Sequence, residues 1–488
     1  MIKIHLPFLL FTPLLLLANT TESRIQALEN ELTLLKKDMK FHQDDLDERM
    51  PIIEKVEKKS ILDKINLSPE VLIRFDKMYY KNRSIANENT MIYGNPNYQP
   101  DGIYSRRTGY SKNFDIAASV RFRLNMDADL GNNVKFHGRM VFANSSQSNQ
   151  RLCILSRDIK SAESSSAFDI DRAYIDFTPN KFSNYATTFS FGLLPTTSGT
   201  PMQYGQSTTR KSMFPALVFD MNTYGLIGTQ KLGKNTFIRA ILAKAYTMKA
   251  SFYPYQCNRE NIDNANVIGL YTDTKFNFFG KSLLSFGVNM LHNLKAHPYL
   301  GPDVGSADAH VLGNMITFGL GLDIEKVAGS DATLFIHTAL SNPHGNGKKD
   351  DYKITHYTND IGLTAENKVG FTESNYASGG MISSNGYSVY LGTRYNINSA
   401  FNIGAEYNYG SKYWFSATQG AEDMYNKLAT RGQVIEVYGV WNFHKNLSTK
   451  LGFMQSDEEY TGSGWHFGEP AKKDATQSIS YLTFEAKF

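Results

Sequence analysis

Basic side chains recur at alternate positions in several segments of the chain, where they could attract or bind anions. Arg121 and Arg123 lie two apart, and each has apolar residues on both sides. Residues two apart in an extended strand point to the same face, so both guanidinium groups share one face. A row of fixed positive charges attracts anions or pairs with carboxylates. The candidates for such a set are Arg74, Arg121, Arg123, Arg139, Arg172, Arg210 and Lys211.

The segment from Phe114 to Phe142 shows the alternation that positions these charges. From residue 116 to 130 every second residue is apolar, and the residues between them are mostly polar or charged. Gly131-Asn132-Asn133 is a tight-turn signal, and the alternation then resumes. The segment predicts a β-hairpin with one apolar and one charged face. Both a soluble sandwich and a membrane barrel with a wet lumen would fit this hairpin.

About sixteen strand-like segments follow one another from residue 71 to the C-terminus, and their connections alternate between short and long. Residues 131–133 and 232–235 are examples of the short connections, and 195–221 and 341–384 of the long ones. Short turns at one rim and long loops at the other are typical of outer-membrane barrels. An even strand number would also return the C-terminus to the short-turn side. The rhythm therefore favours a barrel over a sandwich.

The N-terminus predicts a secreted protein. Lys3 precedes an apolar run from Leu6 to Ala18, which is too short to span a bilayer as a helix. A positive residue before a short apolar run is typical of a cleaved signal peptide. An uncleaved anchor is the alternative. We predict a signal peptide at residues 1–20.

Residues 24–64 show a different period. Apolar residues recur every seven positions, and a second set partly fills the interleaved position, as in a coiled coil. The first set is Ile25, Leu32, Met39, Leu46 and Ile53, and the second is Leu28, Leu35 and Val56. We predict a periplasmic coiled-coil segment at residues 21–66 that joins copies of the chain, as a homotrimer. A solvated, partly helical linker is the alternative.

The predicted fold class is therefore all-β, a transmembrane antiparallel β-barrel of about 16 strands preceded by a short N-terminal α-helical coiled coil. The barrel would occupy residues 67–488. Its final strand alternates up to the terminal Phe488, and this ending resembles the insertion signal that the barrel-assembly machinery reads in outer-membrane proteins.

Composition excludes several other functions. The net charge is only +4, and no basic run with interleaved aromatic residues is present, so we predict no nucleic-acid binding. The two cysteines, Cys153 and Cys257, have no metal-ligand spacing, and we predict no metal and no cofactor. Both cysteines fall in long connections on the same rim, where a disulfide and two separate thiols remain alternatives. Spacing identifies neither a serine nor a carboxylate partner for His137, so we predict no enzyme and no catalytic residue.

The whole arrangement resembles Gram-negative outer-membrane porins, particularly those with an N-terminal periplasmic coiled coil. More narrowly, residues 169–177, 192–201 and 210–217 are similar to an uncharacterised family of bacterial outer-membrane proteins. The resemblance implies a barrel in contact with outer-membrane lipid, with the coiled coil in the periplasm. The resemblance also implies a pore, but it does not indicate which solute would pass through it.

The expected function is a passive diffusion channel for small hydrophilic solutes with a mild anion preference. In general porins the third long connection folds into the barrel and narrows it. Here that connection, residues 195–221, carries Arg210 and Lys211 against the single acid Asp220. A weakly selective pore is an alternative. So is a plugged barrel whose loops, such as residues 341–384, bind a partner. A barrel enzyme is the remote alternative.

Overall fold

The computed structural model of the protein describes the barrel and a part of the N-terminal region. The described residues are 26, 28–40, 43, 50, 65–82, 110–113, 115–145, 166–180, 186–244, 265–295, 311–347, 353–356, 369–372, 381–418, 423, 425–460, 463, 470 and 472–488. The predicted signal peptide and both cysteines, Cys153 and Cys257, lie outside these residues.

The chain divides into two compact units, Met1–Lys64 and Ile65–Phe488. In the first unit, residues 28–40 are α-helical. The apolar side chains of this helix are exposed: Leu28 by 64%, Leu32 by 55% and Met39 by 67%. This helix agrees with the prediction that the heptad segment is helical. The association of such helices in a coiled coil stays a prediction. Among the described residues, no helix is both long and apolar enough to cross a membrane.

The second unit is built from β-strands, of which the described residues form nineteen. They are β1 Ile65–Asn82, β2 Tyr110–Asn113, β3 Ala117–Gly131, β4 Val134–Ser145, β5 Ser166–Phe177, β6 Thr187–Leu194, β7 Thr223–Leu232, β8 Thr236–Lys244, β9 Asn266–Asn277, β10 Lys281–Lys295, β11 Val311–Glu325, β12 Ala332–Gly345, β13 Lys353–His356, β14 Val369–Thr372, β15 Gly386–Asn396, β16 Phe401–Gly410, β17 Gly432–His444, β18 Leu447–Tyr460 and β19 Lys472–Lys487.

Sixteen of these strands form one closed antiparallel barrel. Each barrel strand pairs with the next one along the chain, and β1 pairs with both β3 and β19. At the closure, Arg74 of β1 lies opposite Thr483 of β19 on one side and Ser119 of β3 on the other. The prediction of an antiparallel barrel of about 16 strands is therefore confirmed. Of the remaining three strands, β2 extends the pairing beside β1, and β13 and β14 form a separate hairpin.

The apolar face of the strands points out of the barrel and the charged face points in. On β3 and β4, Val120 is 42% and Phe142 44% exposed, whereas Arg123 is 1% and Arg139 2% exposed. Because side chains alternate between the two faces of a strand, the same order holds along both strands. An apolar exterior around a polar interior is the arrangement of an outer-membrane barrel.

The hydrophobic core lies inside the barrel, because two connections fold into its interior. We call residues 195–222, between β6 and β7, the first inward connection, and the described residues between β16 and β17, which are 411–418, 423 and 425–431, the second inward connection. The amide of Asp220 donates a hydrogen bond to the carbonyl oxygen of Ala417 at 3.0 Å, which joins the two connections. Phe214, Phe219 and Trp414 are almost completely buried against wall residues of several strands.

The first inward connection reaches across the barrel interior. It includes a short helix, Met202–Gln206, and the Tyr204 ring stacks on Phe335 of β12 with centroids 5.7 Å apart. On another side, the Phe214 ring meets Tyr271 of β9 edge-on at 4.6 Å. The prediction that this connection lies inside the barrel agrees with these contacts. The inward path of the second connection was not predicted.

Candidate functional site

A polar cavity lies between the first inward connection and the barrel wall, and we call it the lumenal cavity. Its volume is about 110 Å³. The wall is formed here by β1, β3 and β15–β19, and the helix Met202–Gln206 with the residues that follow it forms the opposite side. Nine of the twenty lining residues are charged: Arg74, Arg121, Lys211, Lys427 and Lys450 are basic, and Glu406, Asp423, Glu436 and Glu485 are acidic.

Two glutamates and two lysines form a network on one side of the lumenal cavity. Lys427, from the second inward connection, donates hydrogen bonds to both Glu406 of β16 and Glu436 of β17. Lys450 of β18 lies 3.2 Å from Glu436 Oε1. Because buried charges are costly unless they are paired, each carboxylate here requires its lysine. The network therefore contributes alternating fixed charges and almost no net charge.

Lys427 remains charged in this position. Burial lowers the pKa of Lys427, but the carboxylates of Glu406 and Glu436 raise it by more, and the pKa lies well above the ordinary lysine value. A protonated amine between two carboxylates holds both of them in one fixed geometry. The local positive charge is thus a permanent part of the cavity wall at neutral pH.

Tyrosine hydroxyls complete the network. Tyr390 donates a hydrogen bond to Glu406 Oε2 at 2.6 Å, and Tyr438 donates one to Glu406 Oε1 at 3.2 Å. Tyr481 donates one to Glu436. The Lys450 ammonium lies 4.1 Å from the centroid of the Tyr438 ring, a favourable cation–π contact. Each tyrosine fixes a carboxylate with its hydroxyl, and the Tyr438 ring also supports a lysine.

Arg74, Arg121 and Lys211 add positive charge to the lining of the lumenal cavity. Arg74 Nε lies 2.8 Å from Asp76 Oδ1, and its guanidinium lies 4.4 Å from the centroid of the Tyr481 ring. Lys211 Nζ lies 3.7 Å from Glu70 Oε2. Together, five basic and four acidic residues line the cavity, which leaves a net charge of 5 − 4 = +1.

Arg123 and Arg139 belong to a different cluster. Arg139 holds the carboxylate of Asp171 through two hydrogen bonds, Nε to Oδ1 at 2.7 Å and Nη2 to Oδ2 at 2.6 Å. Arg123 Nη2 lies 3.9 Å from the same carboxylate. A β-bulge produces this arrangement. Arg139 pairs with Arg172, but the next residue, Met140, pairs with Ile170 and skips one position on β5. The intervening Asp171 is the extra residue, and its side chain turns inward to meet the arginines.

Arg172 and Arg210 hold the first inward connection against the wall. Arg172 Nη2 lies 3.3 Å from both the carbonyl oxygen and the hydroxyl of Thr197. Arg210 Nη2 lies 3.0 Å from Asp273 Oδ2 on β9. Of the seven predicted basic residues, the structure thus brings three to the lumenal cavity, and the other four make contacts elsewhere inside the barrel.

A buried hydrogen-bond chain anchors the start of the same connection. The hydroxyl of Thr200 donates to Asp323 of β11, and Asp323 Oδ1 lies 2.8 Å from His337 Nε2 of β12. All three side chains are almost completely buried. In this series of hydrogen bonds the Asp323 carboxylate lies between the Thr200 hydroxyl and the His337 imidazole. His337 is therefore not placed to activate Thr200 as a nucleophile. We interpret the contact as an attachment point.

Sequence reasoning missed the acidic half of the lumenal cavity. Glu406, Glu436 and Lys450 all occupy the inward positions of their strands, which alternation could have identified. It also found no carboxylate partner for His137, yet His137 Nδ1 lies 2.5 Å from Asp127 Oδ1 on the paired strand. Lys427 carried no signal, because it lies in a connection. Among the described residues, no group of three His, Cys, Asp or Glu side chains is placed to hold a metal ion.

Comparison with known proteins gives one family. The model of the family described as "Protein of unknown function (DUF3373)" matches residues 111–486. No curated protein matches the chain.

Several solved structures are similar to the chain at low sequence identity. OprB of Pseudomonas putida is 9% identical, with a TM-score of 0.45, over 88% of this chain and 96% of that one. The outer membrane channel DcaP of Acinetobacter baumannii is 12% identical, with a TM-score of 0.41, over 87% and 98%. An anion-selective porin from Comamonas acidovorans is 10% identical, with a TM-score of 0.43, over 87% and 100%. This identity is too low to transfer a solute or an assembly to the chain.

Proposed function

The chain belongs to the family described as "Protein of unknown function (DUF3373)", and within this family we propose that it is an outer-membrane porin. It would form a passive diffusion channel for small hydrophilic solutes, with a mild preference for anions. The observation that carries the proposal is the lumenal cavity: a polar, charge-lined space inside a closed barrel whose outer face is apolar.

The barrel supports the membrane location. An apolar outer face would be unfavourable in water, and in a bilayer it meets hydrocarbon. A closed barrel also pairs all strand edges, as a membrane-spanning sheet requires. Outer-membrane lipid is therefore the proposed surrounding of residues 67–488, and the barrel-assembly machinery is the proposed route of insertion.

The charges of the lumenal cavity support a mild selectivity. Arg74, Arg121 and Lys211 line the cavity together with Glu406 and Glu436, and these two carboxylates are paired with lysines. The lining residues alone carry a net charge of +1, which attracts anions, but the carboxylates in the cavity and those of Asp76 and Glu70 beside it limit the effect. We therefore propose a channel that admits both ions and favours anions slightly.

The N-terminal segment is proposed to assemble the protein. Leu28, Leu32 and Met39 are more than half exposed on one helix, and they occupy the heptad positions of the predicted seam. We propose that residues 21–66 form a periplasmic coiled coil that joins three copies, after removal of a signal peptide at residues 1–20. Association would remove these side chains from water.

A plugged barrel is the second candidate, and the core inside the barrel favours it. The two inward connections bury an apolar cluster that includes Phe219, Trp414 and Phe415, and this cluster fills space that an open channel would leave to water. In that case the long loops would bind a partner, and the lumenal cavity would be a closed polar pocket.

Single-channel recording in planar bilayers separates the two candidates. A porin gives stepwise, ohmic currents, and in a gradient of potassium chloride its reversal potential lies slightly toward the chloride equilibrium potential. Purified protein that inserts into the bilayer and gives no steps would contradict the porin and support the plugged barrel. A cation-selective reversal potential would contradict the proposed preference for anions.

A further inference from the structure

A further charged cluster lies inside the barrel, and its residues are not among those that line the lumenal cavity. Its centre is Asp273 of β9, which is 2% exposed. Two arginines share this carboxylate: Arg210 Nη2 lies 3.0 Å and Arg239 Nη1 3.3 Å from its Oδ2. Arg239 of β8 is 1% exposed. The cluster was not predicted as a unit, since Arg239 is absent from the predicted set.

The charges of this cluster do not balance. Arginine keeps its charge at every pH that a protein meets, so Arg210 and Arg239 carry two positive charges against the single negative charge of Asp273. A buried charge without a counter-ion is costly. The remaining contacts of Arg239 supply little compensation, because Phe237 meets the guanidinium with a ring face at 5.6 Å, and a ring face carries no formal charge.

Several nitrogen atoms in the cluster also have no acceptor. In the part of the chain that the structure describes, Nε of Arg239 and Nη1 of Arg210 are buried without a hydrogen-bond partner, and Nη1 of Arg239 meets Asp273 as an ion pair without the geometry of a hydrogen bond. A buried donor without an acceptor is unfavourable. The missing elements are thus one negative charge and a set of acceptor oxygens, which are the two properties of a small oxyanion.

The side chain of Met213 lies against the Arg239 guanidinium. Its Sδ contacts Nη2 of Arg239, and a thioether sulfur is only a weak acceptor. Met213 is 42% exposed and belongs to the first inward connection. A methionine side chain has three rotatable bonds, so it can leave this position without moving the backbone. The Met213 side chain therefore covers Arg239, and a stronger hydrogen-bond acceptor could displace it.

We propose that Arg210, Arg239 and Asp273 form a binding subsite for a small inorganic oxyanion, with Met213 as its displaceable cover. The anion would accept hydrogen bonds from Arg239 and Arg210 and would neutralise the excess positive charge. The subsite goes beyond the proposed channel, because it requires only that the anion reaches the barrel interior. It requires neither conduction nor ion selectivity at the lumenal cavity.

Isothermal titration calorimetry on the purified full-length protein in detergent tests the subsite. The probes are inorganic phosphate and sulfate at constant ionic strength, with gluconate as the background anion. We expect saturable binding of one anion per chain. We expect Arg239→Gln to weaken it at least about tenfold, since each charge-assisted hydrogen bond to a guanidinium contributes strongly. Met213→Ala, which removes the cover, should bind at least as tightly as the wild type.

The matched control is Lys231→Gln. Lys231 is an inward-facing cation on the neighbouring strand β7, opposite Phe237, so this variant loses the same charge outside the cluster. Its affinity should stay within about twofold of the wild type. If Arg239→Gln does not fold, Arg210→Gln replaces it, because Arg210 is less buried. Folding of each variant is checked by the heat-induced shift of the barrel on a gel.

The results separate the subsite from the channel. No saturable heat with the wild type, or equal affinities for the wild type and the folded arginine variant, would overturn the subsite. Chloride binding as tightly as phosphate would overturn the oxyanion assignment. A protein that binds phosphate but shows no conductance would retain the subsite and lose the channel. A protein that gives ohmic currents but binds no phosphate would retain the channel and lose the subsite.

Discussion

The Nζ atom of Lys450 donates a hydrogen bond to the carbonyl oxygen of Gly205 at 2.9 Å. This bond joins strand β18 to the short helix of the first inward connection across the lumenal cavity. The helix approaches the wall so closely that a Cβ atom on Gly205 would lie 2.5 Å from Glu406 Oε1. The width of the cavity is therefore set by how the first inward connection is held, as well as by the barrel.

The first prediction concerns the turn of that connection. A Cβ atom on Gly199 would lie 1.5 Å from the carbonyl oxygen of Phe214, so Gly199→Ala forces two segments of the connection apart. We expect a loss of about 1–3 kcal/mol or more in the free energy of unfolding, and a larger single-channel conductance from a displaced connection. The control is Gly228→Ala, whose Cβ atom would make only ordinary contacts. Unchanged conductance and stability in Gly199→Ala would contradict this account.

The second prediction separates the predicted arginines by position. Arg74 and Arg121 line the lumenal cavity, whereas Arg139 holds Asp171. We expect Arg121→Gln and Arg74→Gln each to lower the chloride-to-potassium permeability ratio by about two- to fivefold, because one unit charge at close range in a watery site contributes about 1 kcal/mol. Reversal potentials in a salt gradient measure the ratio.

Arg139→Gln serves as the comparison for these variants. It should leave the permeability ratio near that of the wild type, because Arg139 does not line the lumenal cavity. It should also lower the stability, because Asp171 loses its bidentate partner. A selectivity change in Arg139→Gln as large as that in Arg121→Gln would show that the lumenal cavity does not control the permeability ratio.

The third prediction concerns Lys427. Removing Lys427 takes the lysine partner from Glu406 and leaves Glu436 with Lys450 alone, and breaking a buried ion pair costs about 3–5 kcal/mol. We expect Lys427→Met to lose that much in the free energy of unfolding by urea in lipid vesicles. The double variant Lys427→Met, Glu406→Gln should recover most of the loss, because the remaining carboxylate, Glu436, keeps Lys450 as its partner. A double variant less stable than Lys427→Met would contradict the role of the charge imbalance.

The fourth prediction concerns assembly. Strand β1 begins at Ile65, so removal of residues 22–64 from the mature protein leaves the barrel strands intact. We expect the deletion to convert a trimer into a monomer in detergent, measured by light scattering. Replacement of Leu28, Leu32 and Leu35 by serine should have the same effect, since these side chains would form the seam. An unchanged mass in both variants would assign the oligomer contacts, if any, to the barrel.

The sequence by itself determined the wall of the barrel. A period of two in residues such as Val120 to Leu124 fixes which side chains share a face, and this information is local. The alternation of short and long connections fixed the number and direction of the strands in the same way. Sidedness and strand count could therefore be predicted without knowing which segments meet in space.

The tertiary structure alone decided which charges lie together. Arg121 and Arg123 share a face, yet only Arg121 lines the lumenal cavity, because Arg123 is drawn into the cluster at Asp171. The bulge that turns Asp171 inward breaks the period of two, and the path of the second inward connection, which carries Lys427, follows no period at all. Distances across a barrel depend on the register of all sixteen strands and on how the connections fold inside, and no short stretch of sequence contains that information.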